Sequence, residues 1–433
     1  MPTGTATETR LVLTDDQVRG LAKLGTPLYV IDEGHLRRRI RRYLAAFKSA
    51  WPNSELTFAS KANSTLAVVK IAYQEGLLID VASEGELRAA LKAGVPASRC
   101  HLHGNNKKPG EIRFAIEQGI NQIVVDNFEE IELIGGLEGK KPDIMIRLAP
   151  GVDPKTHAKI STGQADTKFG FNIADGSGEK ALLRCLELGL DVKGYHCHVG
   201  SQLLDPEAQV SGGELLAQFA TDMKAKHGYE TQVINVGGGL GVHYVGDAVP
   251  LSVEEYCRQL VASISKALEP SGLRPMLVQE PGRSIIGESG VTLYEVGVVK
   301  TVPSPTKGHR VYVAVDGGLS DNPRPVMYGS KYDLVATSGD GRTFGPTRPT
   351  TVSGKHCETD MLFEDVMLPE DLRPGDFVQV LVTGAYNSAM ASNYNRYQRP
   401  GTALVRESGE AVLVQRPESW DEMFAREILP EGL

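Results

Sequence analysis

The residue in this sequence that is best placed for covalent chemistry is Lys61. It closes the segment Phe58-Ala-Ser-Lys61, a short β-prone run that precedes a helical stretch. An amine at the carboxyl end of a strand lies where parallel α/β folds gather their catalytic groups. A partly buried lysine at such a position can form a Schiff base with a carbonyl group. Most lysines are surface charges, so this prediction depends on what lies at the other strand ends.

A run of glycines forms a second chemical feature, because it could bind an anion. The segment Val236-Gly-Gly-Gly-Leu-Gly241 offers backbone N–H groups close to a ligand. Val242 stands where a dinucleotide fingerprint has its last glycine, so a dinucleotide site is disfavoured. Gly282-Arg283 could add phosphate donors, and Glu280 could pair with a protonated heteroaromatic nitrogen. The alternative for the glycine run is a flexible turn, and the alternative for Glu280 is a structural ion pair.

Two histidine pairs, His101-x-His103 and His196-x-His198, each place two imidazoles on one face of a predicted strand. Zinc hydrolases use this spacing. A zinc hydrolase, however, leaves Lys61 and the glycine run unexplained. The flat imidazole of His198 could instead stack on a cofactor ring. We therefore predict a site without a metal ion.

Alternating strand and helix patterns position these groups. Eight short apolar runs end near Lys61, Ser83, Gly104, Asp126, Ala149, His198, Val236 and Glu280. Helical periodicity covers 34–51, 64–75, 84–93, 109–118, 128–134, 179–188, 206–226 and 253–268. This count predicts an α/β fold of the (β/α)8 TIM-like barrel type rather than a doubly wound sheet. The strand ends would then open onto one face, together with the polar residues Asp80, Ser83, His103, Asn105 and Arg147.

The alternation of strand and helix patterns ends after about residue 285. Strand patterns without intervening helices cover 291–302, 310–316, 377–383 and 402–416, the last a hairpin that turns at Ser408-Gly409. Such runs predict a C-terminal all-β domain, which the strand-like pieces 11–13 and 28–31 would join. We expect a barrel over 30–285 and a β-rich domain formed by 1–29 with 286–433.

Composition limits the function further. The net charge of −8 argues against a general nucleic-acid partner. No apolar run approaches a membrane span, and the first ten residues lack a signal-peptide pattern. The five cysteines are scattered and odd in number, so we expect no disulfide framework and a reducing, cytoplasmic setting.

Four ordered motifs resemble those of the fold-type III pyridoxal-phosphate decarboxylases, whose barrel is of the alanine-racemase type. They are Phe58-Ala-Ser-Lys61-Ala-Asn63, His196-Cys-His198-Val-Gly-Ser201-Gln202, Val236-Gly-Gly-Gly239 and Glu280-Pro-Gly-Arg283-Ser284. Further motifs are similar to those of one branch, the diaminopimelate decarboxylases. They begin at Pro150, Ile160, Thr167, Asp316, Cys357, Gly384 and Met390. The resemblance extends over about 26–400 and implies conversion of meso-diaminopimelate to L-lysine and CO2, the last step of bacterial lysine synthesis.

The resemblance also implies roles in binding pyridoxal 5'-phosphate. Lys61 would form the Schiff base, Asp80 would lie near it, His198 would stack on the ring, and Glu280 would hold the ring nitrogen protonated. The phosphate would be bound by Ser201, Gly237, Gly238, Gly239, Gly282, Arg283 and Tyr386. Cys357 resembles the family's proton donor, which reaches the cofactor of a partner subunit. An obligate homodimer with shared sites is therefore implied.

Substrate choice can be argued partly from charge. Diaminopimelate carries a second amino-acid head, which needs cations for its carboxylate and an acid for its ammonium group. The resemblance implies that the substrate is bound by Arg283, Arg324, Tyr328, Glu358 and Tyr386. Gly329 stands where ornithine-type relatives have an aspartate, which weakens a polyamine assignment. A decarboxylase of another basic or dicarboxylic amino acid, an alanine racemase and a non-catalytic pyridoxal-phosphate carrier are the alternatives.

Overall fold

The computed structural model describes residues 10–151, 166–246, 248–306, 308–359 and 361–433. Within them the chain divides into two compact units. The first, here the barrel unit, comprises 37–243 and 248–285. The second, here the β unit, comprises 10–36, 244–246 and 286–433. The motif residues 152, 153, 160–163 and 360 lie outside the described residues.

The strands and helices of the described residues are bounded as follows. The strands are β1 (Leu28–Asp32), β2 (Ser54–Ala59), β3 (Leu78–Val81), β4 (Cys100–Leu102), β5 (Gln122–Val125), β6 (Asp143–Ala149), β7 (Phe171–Asn172), β8 (Val192–His196), β9 (Val233–Asn235), β10 (Met276–Gln279), β11 (Gly290–Ser304), β12 (Gly308–Val315), β13 (Leu334–Thr337), β14 (Thr347–Ser353), β15 (Met361–Pro369), β16 (Phe377–Val380), β17 (Gly401–Val405) and β18 (Ala411–Gln415). The α-helices are α1 (Asp15–Ala22), α2 (Glu33–Ala50), α3 (Leu66–Gln74), α4 (Glu84–Lys92), α5 (Pro109–Glu117), α6 (Phe128–Gly135), α7 (Ser177–Glu187), α8 (Glu207–His227), α9 (Val253–Leu268), α10 (Arg283–Ile286), α11 (Arg324–Tyr328) and α12 (Trp420–Phe424).

Eight parallel strands of the barrel unit form a closed sheet. Their order is β2-β3-β4-β5-β6-β8-β9-β10, and the pairing of β10 with β2 completes the circle. The predicted (β/α)8 barrel is therefore confirmed, and each predicted strand end falls within a few residues of the observed one. The strands are almost continuously apolar and buried, because helices cover their outer faces.

Polar residues at the carboxyl ends of the strands also start the helices that follow. The Ser83 hydroxyl caps α4 by accepting a hydrogen bond from the Glu86 N–H at 3.2 Å. Asn127 caps α6 in the same way, through the Glu130 N–H at 2.9 Å. Such caps satisfy amide groups that the first helical turn leaves without partners. Ser83 therefore has a structural role at the strand end where the sequence placed it.

The β unit contains a mixed sheet in the order β15-β14-β12-β11-β1-β17-β18, with β16 joining β11 to β13. The predicted C-terminal all-β domain is confirmed, and β1 joins its sheet as expected. The predicted hairpin is also present, since β17 and β18 are antiparallel and Gly409 in the turn has φ of +86°. A left-handed φ of this kind favours glycine.

Two details of the β unit differ from the sequence prediction. Residues 11–13 form no strand. The backbone N–H and carbonyl of Leu13 are instead both hydrogen-bonded to the side-chain amide of Gln379. Strands β13, β14 and β15 were not predicted. β15 lies at the edge of the sheet and carries exposed Glu364 and Asp365, which hide its apolar alternation and are typical of protected edges.

No helix in the described part of the chain combines the length and the apolar character that a membrane crossing requires.

Candidate active site

Lys61 lies in the short 3-10 turn Ser60–Ala62 that directly follows β2. Its side chain is exposed, and its backbone is flanked by buried Ser60 and Ala62. Lys61 influences Asp80, His103 and His198, which come from three other strand ends. Its positive charge opposes the rise in the pKa values of Asp80 and His103, and it adds to the effect of burial in lowering the pKa of His198. The barrel therefore gathers these residues around the amine, as the strand-end prediction required.

Asp80 stands at the end of β3 and is buried. Burial is the largest influence on its carboxyl group and raises the pKa to about 6, against the opposing charges of His103 and Lys61. His103 Nε2 lies 3.7 Å from Asp80 Oδ1. Neither carboxyl oxygen of Asp80 has a hydrogen-bond partner within the described ranges. Buried polar groups without a hydrogen-bond partner are rare in folded proteins, and a catalytic role is one explanation for them.

Glu280 follows β10 and forms the polar centre of the barrel face. Its Oε1 accepts a hydrogen bond from Asn235 Nδ2 at 2.6 Å and lies 3.1 Å from His103 Nε2. Its Oε2 accepts one from His196 Nε2 at 3.1 Å. Burial opposes ionisation of Glu280, but the two imidazoles outweigh it and hold the pKa of this carboxyl well below its usual range. Glu280 is therefore a fixed, buried carboxylate.

The two histidine pairs divide between different environments. His103 and His196 converge on Glu280, and the possible ligand atoms of these three residues lie within 4.8 Å of one another. His101 instead lies 3.4 Å from the Asn121 amide, and burial lowers the pKa of its imidazole to about 4. Burial and then the Lys61 charge lower the pKa of His198 well below its ordinary value, so that His198 presents a neutral ring.

The glycine run after β9 packs too closely against its neighbours for any side chain. A Cβ atom on Gly237 would lie 2.5 Å from the Cys197 carbonyl oxygen, and one on Gly238 would lie 2.2 Å from that of Glu280. The Gly237 N–H donates to Asn235 Oδ1 at 2.9 Å, and the Gly238 N–H donates to His198 Nδ1 at 3.3 Å. The loop is thus a rigid cradle that brings backbone to the barrel face, rather than a flexible turn.

The segment after Glu280 adds a second set of donors. A Cβ atom on Gly282 would lie 3.0 Å from Ala62 Cβ, so this glycine allows the segment to pack against the turn of Lys61. Arg283 is buried, and its Nη2 donates to Ser201 Oγ at 3.1 Å. Of the predicted phosphate residues, Gly282 therefore packs against the turn that carries the amine, and Arg283, which follows it, binds Ser201.

Several groups on this face were not assigned roles from the sequence. Arg147 ends β6, stacks over the Phe169 ring at 4.2 Å, and lies 3.6 Å from Asp126 Oδ2. His103, His196 and Asn235 bind Glu280, as described above. Arg147 and the histidines were visible as polar residues at strand ends. Asn235 is also a polar residue at a strand end, but its role could not be assigned, because its partner Glu280 lies 45 positions away in the sequence.

The β unit holds Arg324, the second of the two predicted substrate arginines. Arg324 is buried, and its Nε donates to Tyr332 Oη at 2.8 Å. Its guanidinium lies 5.2 Å from the ring of Tyr328, a cation–π distance. Asn387 Nδ2 donates to Asn322 Oδ1 at 2.7 Å, which ties the loop before Arg324 to the residue after Tyr386.

The remaining predicted residues lie on loops of the β unit. Cys357 is exposed, and its backbone N–H donates to Asn395 Oδ1 at 3.1 Å. Glu358 is exposed and accepts a hydrogen bond from Tyr394 Oη. Tyr386 has φ of +59°, a conformation that is unusual for a side chain of its size and is often found at functional sites.

The match to a family model defines the class of protein. Residues 35–287 match the pyridoxal-binding domain of the pyridoxal-dependent decarboxylases. This range contains the whole barrel sheet and every site residue of the barrel unit. The match also names the cofactor, which is pyridoxal phosphate.

Comparison with individual proteins identifies the branch. The chain is 42% identical over 407 residues to the diaminopimelate decarboxylase of Bacillus subtilis, covering 93% of this chain and 91% of the relative. It is 42% identical to that of Actinosynnema pretiosum over 94% and 90% of the two chains. The crystal structure of the M. jannaschii enzyme in complex with L-lysine has a TM-score of 0.87 and 31% identity, over 95% and 94% of the chains. The chain belongs to the diaminopimelate decarboxylase family.

Proposed function

We propose that this protein removes CO2 from meso-diaminopimelate to give L-lysine, with pyridoxal phosphate as its cofactor. The observation that carries the proposal is the shared barrel face on which the Lys61 amine, the fixed Glu280 carboxylate and the glycine cradle meet. A lysine, an ionised acid and an anion cradle are the groups that attach, polarise and anchor this cofactor. Relatives that align with more than nine-tenths of this chain are named diaminopimelate decarboxylases.

The residues of the barrel face fit the cofactor. Lys61 would attach to its aldehyde, and the ionised Glu280 would accept a hydrogen bond from its protonated ring nitrogen. His198 would present its neutral ring to the cofactor ring. The phosphate would lie among Ser201, Gly237, Gly238, Gly239, Gly282 and Arg283, and Tyr386 of the β unit is proposed as a further phosphate ligand. When bound, the cofactor supplies an electron sink for the carbanion that forms as CO2 leaves.

Asp80 fits the same arrangement. Its two buried carboxyl oxygens have no hydrogen-bond partner among the residues that the structure describes. The positive charge of Lys61 stabilises their ionised form. With a pKa of about 6, Asp80 can hold or release a proton beside that amine near neutral pH. We assign Asp80 to controlling the charge of Lys61.

Recognition of the distal head of the substrate is assigned to the β unit. Arg324 is held by Tyr332 and by the ring of Tyr328, which orients its guanidinium. A fixed guanidinium binds a carboxylate with two parallel hydrogen bonds. Glu358 would accept the distal ammonium group, Tyr328 would add a hydroxyl, and Arg283 and Tyr386 would contact the substrate from beside the phosphate.

Cys357 is proposed as the acid that protonates the α-carbon. It is exposed, whereas the other four cysteines are buried, and burial raises the pKa of each of those thiols to about 12. We propose that Cys357 acts on the cofactor of a partner subunit, so that the working form is a homodimer. The five free cysteines support a reducing cytoplasmic location.

The deciding experiment measures CO2 release from meso-diaminopimelate, L-lysine, L-ornithine and L-arginine under identical conditions. We expect kcat/KM for meso-diaminopimelate to exceed the others by at least about a thousandfold, since substrates without the distal carboxylate leave Arg324 unpaired. Faster release from ornithine or arginine would instead assign the chain to a basic amino-acid decarboxylase. Absence of CO2 release from all four, with bound cofactor present, would favour the carrier.

A further inference from the structure

Asn235 occupies a position that no part of the proposed function has assigned. It is the last residue of β9, and only 1% of its surface is exposed. Its Oδ1 accepts a hydrogen bond from the Gly237 N–H at 2.9 Å. Its Nδ2 donates one to Glu280 Oε1 at 2.6 Å. One planar amide therefore contacts both the glycine cradle and the central carboxylate.

The orientation of this amide is determined by its partners. The Gly237 N–H can only donate, so the oxygen of Asn235 must face it. The NH2 group then faces Glu280, whose ionised carboxylate can only accept. Since an amide is planar, a shift of the glycine loop would move the donor that holds Glu280. The glycine cradle and the carboxylate are thus mechanically coupled.

Asn235 also differs chemically from the two imidazoles that contact Glu280. His103 and His196 are imidazoles, and their capacity to donate changes with protonation and tautomer. The amide of Asn235 does not titrate in the physiological range. It supplies a hydrogen bond to Glu280 that is constant with pH, and hydrogen bonds to charged groups are among the stronger ones in proteins.

We infer that Asn235 is a positioning residue that couples the phosphate cradle to the carboxylate which binds the ring nitrogen of the cofactor. The inference rests on the proposed function, because it needs the cofactor phosphate at the glycines and the ring nitrogen at Glu280. Asn235 touches neither in this assignment. It acts through Gly237 and Glu280.

The variant that separates the two contacts is Asn235→Asp. An aspartate can still accept from the Gly237 N–H, but it places a second carboxylate against Glu280. Repulsion between the two carboxylates makes them share one proton, so Glu280 would no longer present its full negative charge to the ring nitrogen. Asn235→Ala removes both contacts and serves as the second variant if the aspartate chain does not fold.

The measurement compares the dissociation constants of pyridoxal 5'-phosphate and of its 1-deaza analogue, which has C–H in place of the ring nitrogen. Both are titrated into full-length protein from which cofactor has been removed. The ratio of the two constants reports the ring-nitrogen interaction alone. We expect the analogue to bind wild-type protein at least about tenfold more weakly, the effect of losing a hydrogen bond to a charged group. In both Asn235 variants the ratio of the two dissociation constants should approach one. In Asn235→Ala both dissociation constants should also be larger than in the wild type, because the contact with Gly237 is lost as well.

The control variant is Asn121→Asp, which makes the same amide-to-acid change before β5, at the opposite end of the strands. Its ratio should equal that of the wild type. A ratio that stays high in both Asn235 variants would overturn the inference while leaving the proposed function intact. A wild-type ratio near one would overturn the placement of the ring nitrogen at Glu280, and the role of Asn235 with it.

Discussion

At the scale of single residues, the structure explains why Lys61 rather than Lys107, another lysine of the barrel unit, is suited to covalent chemistry. Lys107 is buried, and its Nζ donates to the carbonyls of Gly104 and Val124 at 2.7 Å each and to Glu130 at 2.8 Å. All three of its N–H groups are therefore engaged. Lys61 is exposed on the face that carries Asp80, His198 and Glu280, where a ligand can reach it.

This contrast predicts the outcome of borohydride reduction. Reduction of the holoenzyme should fix the cofactor to Lys61, and Lys61→Ala should lose the attachment together with at least about a thousandfold of kcat, as expected when a covalent group is removed. Peptide mapping by mass spectrometry identifies the labelled residue. Lys107→Met is the matched control, and it should keep the label at Lys61. A label on any other lysine in the wild type would refute the assignment.

At the scale of structural elements, the glycine cradle depends on contacts between loops rather than on flexibility. Gly238→Ala would place a methyl group 2.2 Å from the Glu280 carbonyl oxygen, a distance that forces the two loops apart. We expect the variant to lose about 1–3 kcal/mol of stability, typical of overpacking, and to bind the cofactor at least about tenfold more weakly.

Equilibrium dialysis and urea unfolding test this expectation. Gly110→Ala is the matched control, because it lies in α5 with no atom within 4 Å of the added methyl group. Gly110 is the second residue of this helix, so an alanine there should leave cofactor binding unchanged and stabilise the chain by at most about 0.5–1 kcal/mol. Equal cofactor affinity in the two variants would contradict the prediction, because it would show that the glycine loop accommodates the added methyl group.

The loop before Arg324 depends on a buried acid. Asp321 accepts hydrogen bonds from the Gly318 N–H at 2.8 Å and from Tyr294 Oη, and its backbone carbonyl accepts one from Tyr29 Oη at 2.6 Å. Burial raises the pKa of this carboxyl to about 7, so the folded chain keeps a proton that the unfolded chain releases near pH 4. The stabilisation from Asp321 is complete below about pH 4 and is lost as the pH rises to about 7.

Asp321→Asn should remove this pH dependence, because the amide imitates the protonated acid. Between pH 4 and 7 the stability of the wild type relative to the variant should fall with rising pH, by up to about 1.4 kcal/mol per pH unit. Urea unfolding at several pH values measures it. Asp376→Asn is the contrasting control. Burial opposes ionisation of Asp376, but Arg342 outweighs it and lowers the pKa, so its difference should be constant above pH 5. A constant difference for Asp321 as well would contradict the prediction.

The elements that could be predicted from sequence are those whose pattern is local. The barrel strands are short apolar runs with a helix after each, so their ends could be located within a few residues. The edge strand β15 could not, because exposed Glu364 and Asp365 interrupt its pattern. Asn235 could not be assigned either. It is a polar residue at the end of an apolar run, and its role depends on Gly237 and on a distant carboxylate that only the closed barrel brings within 2.6 Å.

At the scale of the whole molecule, the proposed chemistry divides between two units. Lys61, Glu280 and the glycine cradle belong to the barrel unit, and Cys357, Glu358 and Arg324 belong to the β unit. If Cys357 acts on the cofactor of a partner subunit, as proposed, then a single chain cannot complete turnover, and neither unit can do so alone. A symmetric dimer would contain two such composite sites.

This arrangement can be tested with heterodimers purified through two different tags. A dimer of one Lys61→Ala chain and one Cys357→Ala chain would contain one site with both residues intact, so it should have about half of the wild-type activity. The reciprocal control joins a wild-type chain to a chain that carries both substitutions. Each of its sites would lack one residue, and it should be almost inactive. If Cys357 serves its own chain, the two results exchange places: the first dimer is inactive and the second keeps about half of the activity. Cofactor absorbance of Cys357→Ala alone should equal that of the wild type, which separates loss of the acid from loss of the site.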